Sequence, residues 1–380
     1  MINFGIIAEY NPLHRGHEYQ FKRTRELLGE DTGFICLLDG NFVQRGEPAL
    51  FNKQARARAA VRCGADLVLE LPLPYALSSA EGFAFGAVSL LNKLKCVDYL
   101  SFGSELGDIA ELSHTAELLL RPEMDELIRN ELKKGIPYAL ARQRAAEALA
   151  GSSLNLLTQR NNILGIEYIK ALKKLGSDIK PITIKRNFGF SSATELRAKA
   201  DCLDELPAAA AEVFKSEIES GRGPVRLKNL EPAILYKLRT MSREDFAALP
   251  DSTEGLGDRL YKLAGSESLD KLYKEAATKR YPEARIRRMV MCAYLGIKAD
   301  TAKNELNNLY ARVLAANKRG RDIINMISKD MPVITKPAHG RGRALFELEA
   351  RAADLYVLGY PAAAQRKGGS EWTGSPYIEA

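Results

Sequence analysis

Short apolar runs alternate with helix-like patterns along the first half of the chain, and this alternation constrains the fold more than any other feature. Each run has strand length, and segments between the runs, such as residues 52–63 and 81–94, carry apolar residues at helical spacing. Parallel strands need long crossover connections, so this order predicts an α/β fold with a Rossmann-like parallel sheet covered by helices. The predicted strands are residues 4–8, 34–38, 67–71, 99–102 and 179–185.

The second half of the chain has a different pattern. Beyond about residue 199 the strand patterns fade, and segments rich in Leu, Ala, Lys and Glu extend over residues 206–356, which predicts a mostly helical C-terminal region. We therefore expect two domains, residues 1–200 and residues 201–380. The last stretch, residues 366–380, is rich in Gly and Ser, and we expect it to pack loosely.

The composition is typical of a soluble globular protein, with 46% hydrophobic and 27% charged residues. The longest apolar stretches have only strand length and the chain starts in a predicted strand, so we expect a cytoplasmic protein without a membrane span. Five single cysteines with no CxxC pair disfavour both a zinc site and a disulfide framework, and we expect no metal site built from side chains. The net charge of +7 favours an anionic partner.

Two of the four histidines, His14 and His17, lie three residues apart, directly after the first predicted strand and an Asn-Pro turn. A strand that ends in such a turn and opens a helix presents unpaired backbone N–H groups and the positive end of the helix dipole to a phosphate. Gly16 lets the backbone approach closely, and the two imidazoles project from one side. A pair of solvated or core histidines is the alternative, but it leaves this context unexplained. The segment therefore predicts a nucleotide-triphosphate site.

The run His14-Arg15-Gly16-His17 resembles the HxGH signature of the nucleotidyltransferase superfamily, whose members attack the α-phosphate of ATP and release pyrophosphate. Residues 191–197 resemble the other signature of that superfamily, a Ser/Thr-rich helix start ending in Arg, in which hydroxyls and backbone N–H groups hold the β- and γ-phosphates. Ser192 and Glu195 also have the spacing of a capping box, which is a purely structural explanation for part of this segment. A capping box does not require Arg197.

A polar loop with two glycines, residues 38–49, follows the second predicted strand at the edge of the sheet where ligands bind. Its Gln44 and Arg45 are suited to orienting a second substrate, and a plain connecting loop is the alternative. Asp39 has two open interpretations, a functional carboxylate or a surface carboxylate without a function.

Further segments resemble one family of this superfamily, the tRNA(Met) cytidine acetate ligases, over nearly the whole chain. These segments are residues 38–49, 64–72, 102–105, 161–168, 254–256, 278–281, 285–288 and 310–314. The resemblance implies a two-step reaction, in which acetate and ATP form acetyl-adenylate and the N4 amine of the wobble cytidine of elongator tRNA(Met) then takes the acetyl group. The partners that it implies are that tRNA and acetate, with neither a membrane nor DNA.

The same resemblance implies which residues bind ATP, with Mg²⁺ accompanying the triphosphate. They are Ile7, Ala8, Glu9, Tyr10, Asn11, Pro12, Leu13, His14, Arg15, Gly16, His17, Glu18, Tyr19, Gln20, Gly103, Asn162, Arg186, Ser191, Ser192 and Thr194. The expected catalytic residues are His14, His17 and Arg197, because the reaction needs donors and cations where negative charge builds on the phosphates. The attacking carboxylate of acetate needs no general base.

Basic residues cluster in the half of the chain that lacks nucleotide signatures. A charge run is usually a solvated face, but several clusters in one half are better explained by contacts to RNA phosphates. The predicted tRNA-binding residues are Lys279, Arg280, Arg285, Arg287 and Arg288.

Two other functions stay open for the sequence. A small-molecule adenylyltransferase or synthetase of the same superfamily would share both phosphate signatures, but it would not need a basic helical half of this size. A noncatalytic RNA-binding protein that has kept the fold would not need an intact histidine pair, so His14 and His17 argue against it.

Overall fold

Strands and helices alternate through the first half of the chain, as the sequence predicts. The structure is a computed structural model that describes residues 2–29, 31–151, 154–187, 189–199 and 202–379. The strands are β1 (Ile2–Ala8), β2 (Thr32–Asp39), β3 (Phe42–Val43), β4 (Glu47–Pro48), β5 (Leu67–Leu71), β6 (Tyr99–Ser104), β7 (Lys180–Lys185), β8 (Ala311–Ala316), β9 (Val333–Ile334) and β10 (Tyr377–Ile378).

The helices follow the same chain order. They are α1 (Arg15–Leu28), α2 (Lys53–Arg62), α3 (Leu73–Ala76), α4 (Ala80–Leu94), α5 (Ile109–Leu119), α6 (Glu123–Leu132), α7 (Tyr138–Ala150), α8 (Arg160–Lys174), α9 (Ala193–Ala198), α10 (Ala208–Glu219), α11 (Leu227–Thr240), α12 (Arg243–Ala247), α13 (Leu256–Leu263), α14 (Leu269–Ala276), α15 (Glu283–Leu295), α16 (Thr301–Asn304), α17 (Lys318–Met326), α18 (Ala344–Val357) and α19 (Ser370–Thr373). No helix within the described ranges combines the length and the apolar character needed to cross a membrane.

Within the described residues, eight strands form one sheet in the order β10-β8-β5-β2-β1-β6-β7, with β9 paired to β8. The five strands of the first half run parallel, and their order is that of a Rossmann fold. The predicted α/β class is therefore confirmed. Connections leave β1 in opposite directions on its two sides, so the crevice outside the carboxyl ends of β1 and β6 is where such a sheet binds a ligand.

The central strands β1, β2 and β5 are largely buried on both faces of the sheet, which explains why most of their residues are apolar. Side chains alternate between the faces: Ile35 and Leu37 of β2 pack against one set of helices, α4, α5 and α8. Phe34, Cys36 and Leu38 of the same strand pack on the opposite face, against α1, α2 and α10. The sheet is therefore the central layer of the fold, and the loops at its carboxyl edge extend from strands that helices cover on both faces.

No strand was expected beyond about residue 199, so β8 was not predicted. It lies beside β5 and runs antiparallel to it, with Leu67 opposite Ala316 and Val68 opposite Ala315. Its sequence, Ala-Arg-Val-Leu-Ala-Ala, has little β-branched character, so the local pattern gave no strand signal. Every residue of β8 is buried, and tertiary packing therefore overrides the weak local preference.

The C-terminal stretch does not pack loosely, and that expectation was wrong. The ring of Trp372 packs on Phe346 of α18 with centroids 5.1 Å apart, and β10 pairs in parallel with β8. Glu371 is buried between helix α2 and the sheet, with only 1% of the residue exposed. A few anchoring side chains fix the segment, although it is rich in glycine and serine.

Charged side chains from five distant elements form a buried charge cluster beneath the sheet edge. Its members are Lys53 of α2, Glu70 of β5, Arg312 of β8, Glu349 of α18 and Glu371 of α19, each at most 3% exposed. The Lys53 ammonium lies 2.6 Å from Glu70 Oε1 and 2.9 Å from Glu371 Oε2, and Arg312 lies 3.4 Å from Glu371. The cluster ties the C-terminal segment to the sheet.

The helices after residue 226 share a second core, formed mainly by α11, α13, α14, α15 and α18. That core also takes in Phe42, Leu73 and Leu77 from the first half of the chain. The mostly helical region therefore packs directly on the loops at the carboxyl edge of the sheet, and this contact brings both halves to the same cavity.

Candidate active site

His14 and His17 stand at the start of α1, where β1 delivers the chain to the crevice. His14 is the N-cap of the helix, and its Nδ1 accepts a hydrogen bond from the backbone N–H of Gly16 at 3.0 Å. The Nδ1 of His17 accepts one from the backbone N–H of His14 at 3.1 Å. The two rings stack with centroids 3.8 Å apart, and the ring edge of Tyr10 supports His17. Both imidazoles are thus fixed in position by the backbone of their own turn.

These hydrogen bonds also determine which ring nitrogens carry protons. A neutral imidazole has one donor and one acceptor nitrogen, so with Nδ1 accepting, Nε2 carries the hydrogen on both rings. Burial lowers the pKa of His14 to about 4, with Arg186 and Arg197 adding to the effect. Burial, His14 and Arg186 lower the pKa of His17 well below its usual value. At neutral pH both rings are therefore uncharged donors through Nε2.

Arg197 joins the second signature to the first. Its Nη1 donates to the backbone carbonyl of Asn11 at 2.7 Å, although the two residues are 186 positions apart. The carbonyl of Arg197 in turn accepts from Arg226 at 2.6 Å. The turn before α1 and helix α9 are therefore locked together, with Thr194 within 3.2 Å of the Arg197 guanidinium.

The capping box at the start of α9 is present, so the structural explanation of this segment is correct for Ser192 and Glu195. The Ser192 hydroxyl accepts from the Glu195 N–H at 3.3 Å, and the Glu195 carboxylate accepts from the Ser192 N–H at 2.7 Å. Ser191, Ser192 and Thr194 nevertheless line the same cavity as the histidines. Capping and ligand binding can therefore coexist here.

Gly103 and Arg186 stand at the ends of neighbouring strands, β6 and β7. The Arg186 guanidinium lies 3.7 Å from the Glu105 carboxylate, and its stem runs past Gly103, where an added Cβ would lie 3.5 Å from Arg186 Cγ. Both residues line the cavity. The ends of β6 and β7 therefore face the same cavity as the histidines.

Asn162 is fully buried, and its side chain is already used. Its Oδ1 accepts from the backbone N–H groups of Glu105 and Leu106 at 3.0 and 3.1 Å, and its Nδ2 donates to Gln159. The neighbouring Asn161, not Asn162, lines the cavity. Asn162 therefore holds the loop after β6 in place, so its expected part in binding ATP is indirect.

The segment from residue 7 to residue 20 faces the cavity only in part. The lining residues are Ile7, Ala8, Glu9, Tyr10, Asn11, His14, Gly16, His17, Tyr19 and Gln20. Leu13 lies in the core beneath, and Arg15 points away to donate to the carbonyl of Asp204. Side-chain contacts to a ligand from this segment are thus restricted mostly to one face of the turn.

The cavity has a volume of about 1130 Å³ and is strongly basic. Among the described residues, eight cationic side chains and three carboxylates line it. The cations are Arg45, Arg160, Lys185, Arg186, Arg197, Arg226, Arg287 and Arg288, and the carboxylates are Glu9, Glu47 and Glu283. A concave site with this excess of positive charge favours a polyanionic ligand.

One wall of the cavity comes from α15, which the sequence did not associate with the nucleotide. Glu283, Ala284, Arg287 and Arg288 line the cavity beside the loop between β3 and β4. Gly46 of that loop has φ +75°, and a Cβ there would lie 2.5 Å from the α15 backbone, so only glycine permits this approach. The sequence shows Gly46 as a loop glycine, but it does not show that α15 packs against this glycine.

The predicted tRNA-binding residues have two different environments. Lys279 and Arg280 are exposed on the turn before α15, where Arg280 keeps 65% of its side chain accessible. Arg285 donates to the carbonyl of Asp251 at 2.8 Å, and Arg288 lies 3.8 Å from the Asp251 carboxylate. These two guanidinium groups therefore stabilise a neighbouring loop.

Asp39 is not a surface carboxylate, and that alternative was wrong. It is fully buried at the end of β2, where its Oδ2 accepts from the Gln44 N–H at 3.3 Å. Burial and the neighbouring Glu9 raise its pKa well above the usual value, against the opposing effect of Arg56. Asp39 therefore lies behind the cavity wall.

A Rossmann-type sheet with a phosphate-binding turn that carries paired histidines defines a nucleotidyltransferase, and a family profile described as HIGH Nucleotidyl Transferase matches residues 1–371. Two similar curated proteins are named tRNA(Met) cytidine acetate ligase. The one from Caldanaerobacter subterraneus subsp. tengcongensis is 38% identical over 94% of this chain and 95% of its own length, and the one from Acetivibrio thermocellus is 36% identical over 97% and 98%. The chain belongs to the tRNA(Met) cytidine acetate ligase family.

Solved structures agree with this assignment. Thermotoga maritima TmcAL bound with alpha-thio ATP is 33% identical and superposes with a TM-score of 0.92, covering 100% of this chain and 99% of that one. The apo form of the same protein gives a TM-score of 0.93. The fold therefore matches along the whole chain, including the parts of the sheet that the sequence did not predict.

Proposed function

We propose that this chain is an ATP-dependent acetate–tRNA ligase, which forms acetyl-adenylate from acetate and ATP and then acetylates N4 of the wobble cytidine of elongator tRNA(Met). The observation that carries the proposal is the fixed pair of uncharged Nε2 donors on His14 and His17, which open onto a basic cavity. The names of the relatives and the ATP analogue bound to the Thermotoga maritima protein support it. We expect the reaction in the cytoplasm, where ATP and tRNA are available.

The activation step requires stabilisation of phosphate charge more than proton transfer. A carboxylate oxygen of acetate attacks the α-phosphorus, a new P–O bond forms, and the bond to the leaving pyrophosphate breaks. Negative charge grows on the phosphates, where His14, His17, Arg186 and Arg197 provide donors and cations. Mg²⁺ belongs to the nucleotide substrate, where phosphate oxygens bind it and it neutralises charge on the departing group.

The ATP-binding assignment follows the cavity. Direct contacts are proposed for the cavity-lining residues of the segment from residue 7 to residue 20, and for Gly103, Arg186, Ser191, Ser192 and Thr194. Asn162 is proposed to contribute by positioning, through the hydrogen bonds that hold the loop after Gly103. The dipole of the long helix α1 favours anionic phosphates at this turn as well.

For the tRNA, the exposed pair Lys279 and Arg280 is proposed to contact backbone phosphates directly. Arg287 lies on the cavity wall and is proposed to contact the anticodon close to the reacting base. Residues 1–200 are proposed to activate acetate, and residues 201–380 to hold the tRNA. The contact of α15 with the loop between β3 and β4, which also lines the cavity, supports a joint site in which the acceptor base reaches the adenylate.

Pyrophosphate exchange with a panel of carboxylates tests the proposal. Acetate-dependent exchange of labelled pyrophosphate into ATP is the expected result, because formation of acetyl-adenylate is reversible. Exchange with a different acid only would support a small-molecule adenylyltransferase, and exchange with none of the acids would support a noncatalytic RNA-binding protein.

A further inference from the structure

The carboxylates in the cavity need an explanation, because they repel the polyanionic ligand that the surrounding arginines attract. The presence of Glu283 is explained by its ion pair with Arg287, one helical turn away, in which Oε1 lies 2.7 Å from the guanidinium. Among the described residues, neither Glu9 nor Glu47 forms an ion pair shorter than 3.9 Å, and Glu9 is the one on the turn that carries the histidines. Arg45 Nε lies 3.9 Å from Glu9 Oε2, which is longer than a hydrogen bond and leaves the carboxylate lone pairs available.

The position of Glu9 is fixed by the backbone around it. It follows β1 directly, and its carbonyl accepts a hydrogen bond from the buried guanidinium of Arg56 at 2.6 Å. The next residue, Tyr10, has φ 45°, a left-handed conformation that is costly for a tyrosine and sets the direction of the turn. The Glu9 side chain is 24% exposed and lines the cavity, five residues before His14.

The second step of the proposed reaction needs a proton acceptor. The lone pair of the cytidine N4 amine is delocalised into the ring, and once this nitrogen attacks the acetyl carbon it carries positive charge and must lose a proton. Neither His14 nor His17 can take that proton, because each has Nδ1 occupied by a backbone N–H and Nε2 protonated. A carboxylate with free lone pairs beside them meets the requirement.

We propose that Glu9, steadied by Arg45, accepts the proton that the cytidine N4 amine loses when it takes the acetyl group. The inference rests on the proposed function and adds a catalytic residue to it. In this step a bond forms between N4 and the acetyl carbon, the bond from that carbon to the AMP phosphate oxygen breaks, and AMP leaves with the electron pair. The N–H proton passes to the Glu9 carboxylate.

The charges around Glu9 suit this role. Burial raises the pKa of its carboxyl above the usual value, against the opposing effect of Arg45 and Arg197, and a carboxylate with a raised pKa is a better proton acceptor. The charged groups facing it are Arg45 and Glu47 from the loop and hairpin after β2, Arg56 from α2, Arg197 from α9 and Asp39 behind it in β2.

The test separates the two half-reactions in Glu9→Gln, with Glu111→Gln, an exposed carboxylate of α5 outside the cavity, as the control. Activation is measured by acetate-dependent pyrophosphate exchange and by trapping acetyl-adenylate with hydroxylamine, a nucleophile that needs no protein base. Transfer is measured as single-turnover acetylation of tRNA. We expect the ratio of transfer to activation to fall about a hundredfold or more in Glu9→Gln and to stay within a few fold in Glu111→Gln.

A pH profile provides the second readout. In the wild type the single-turnover transfer rate should rise with pH as the Glu9 carboxyl ionises, and this rise should be missing in Glu9→Gln. If Glu9→Gln does not fold, Glu9→Asp decides instead: a ratio lowered about tenfold supports the inference, and an unchanged ratio overturns it. Equal losses of activation and transfer in a folded Glu9→Gln also overturn it, since they confine the Glu9 side chain to ATP binding and leave it no separate part in transfer. Absence of exchange in the wild type contradicts the proposed function itself.

Discussion

The imidazole rings of His14 and His17 stack face to face with centroids 3.8 Å apart, and each ring accepts a backbone hydrogen bond through Nδ1. Stacked imidazoles of this kind cannot both be charged without strong repulsion, and burial already disfavours the charged form. The pair therefore offers two parallel neutral donors to a phosphate. Since the same contacts also cap helix α1, stability and catalysis must be separated by the choice of substitution.

Replacement of His14 by Asn should abolish activation while leaving the helix intact. Asn is a good N-cap residue, so α1 keeps its cap acceptor, but the Nε2 donor is lost. We expect acetate-dependent pyrophosphate exchange to fall about a hundredfold or more, with His17→Ala giving a loss of similar size. Near-normal exchange in a folded His14→Asn protein would remove His14 from the catalytic residues.

Protein stability should depend on His14 between pH 7 and pH 5. The folded-state pKa of about 4 lies below the usual 6.5, so as pH falls through 6.5 the unfolded state takes up a proton that the folded state does not. This contribution to stability is complete above pH 6.5 and is lost as the pH falls towards 4. The free energy of unfolding is measured in urea at pH 7 and at pH 5. Between these pH values it should fall by about 2 kcal/mol less in His14→Asn than in the wild type. Equal losses in both proteins would mean that His14 titrates normally.

The exposed basic pair should contribute to tRNA binding through charge alone. The double change Lys279→Gln with Arg280→Gln should weaken tRNA binding and make the slope of log affinity against log salt shallower by about two units. Binding titrations at several salt concentrations measure both effects. Lys133→Gln with Lys134→Gln, a matched pair at the end of α6, serves as control. An unchanged slope in the first variant would show that the tRNA surface lies elsewhere.

Arg288 should behave differently from this pair. Its guanidinium is largely buried and lies beside Asp251, so Arg288→Gln should lower the melting temperature before any effect on tRNA can be interpreted. Thermal melting checks this directly. A normal melting temperature together with a shallower salt slope would instead assign Arg288 to the RNA surface.

The buried charge cluster should make the C-terminal segment essential for stability. Glu371→Gln leaves Arg312 without its carboxylate partner and removes one of those of Lys53, and we expect a loss of about 3 kcal/mol or more in the free energy of unfolding. Glu379→Gln, in the same segment but only half-buried, should cost less than about 0.5 kcal/mol. Similar unfolding midpoints for the two variants in urea would contradict this role.

The parts of this fold that sequence predicts are those with strong local signals. The strand that leads to His14 and the buried strand around Leu37 are apolar throughout, and the turn between strand and helix has its own sequence pattern. The predicted sheet and the association of Arg197 with the first signature follow from these signals. The superposition on the Thermotoga maritima structure is consistent with this prediction.

The missed features depend on contacts between distant residues. Strand β8 has little strand propensity and forms because β5 needs a neighbour, while the C-terminal segment is fixed by Glu371 and Trp372 despite its glycines. The contacts of Arg285 and Arg288 with Asp251 were not visible in the sequence either, since Arg285 and Asp251 are 34 positions apart. No local pattern carries that information.

The source of the acetyl group distinguishes direct activation of acetate by ATP from transfer of an acetyl group from acetyl-coenzyme A. The purified protein is incubated with tRNA and either labelled acetate with ATP or labelled acetyl-coenzyme A without ATP, and the labelled nucleoside is identified after digestion. We expect N4-acetylcytidine from acetate and ATP, with one AMP formed per acetyl group and no product from acetyl-coenzyme A. Labelling from acetyl-coenzyme A in the absence of ATP would contradict this expectation.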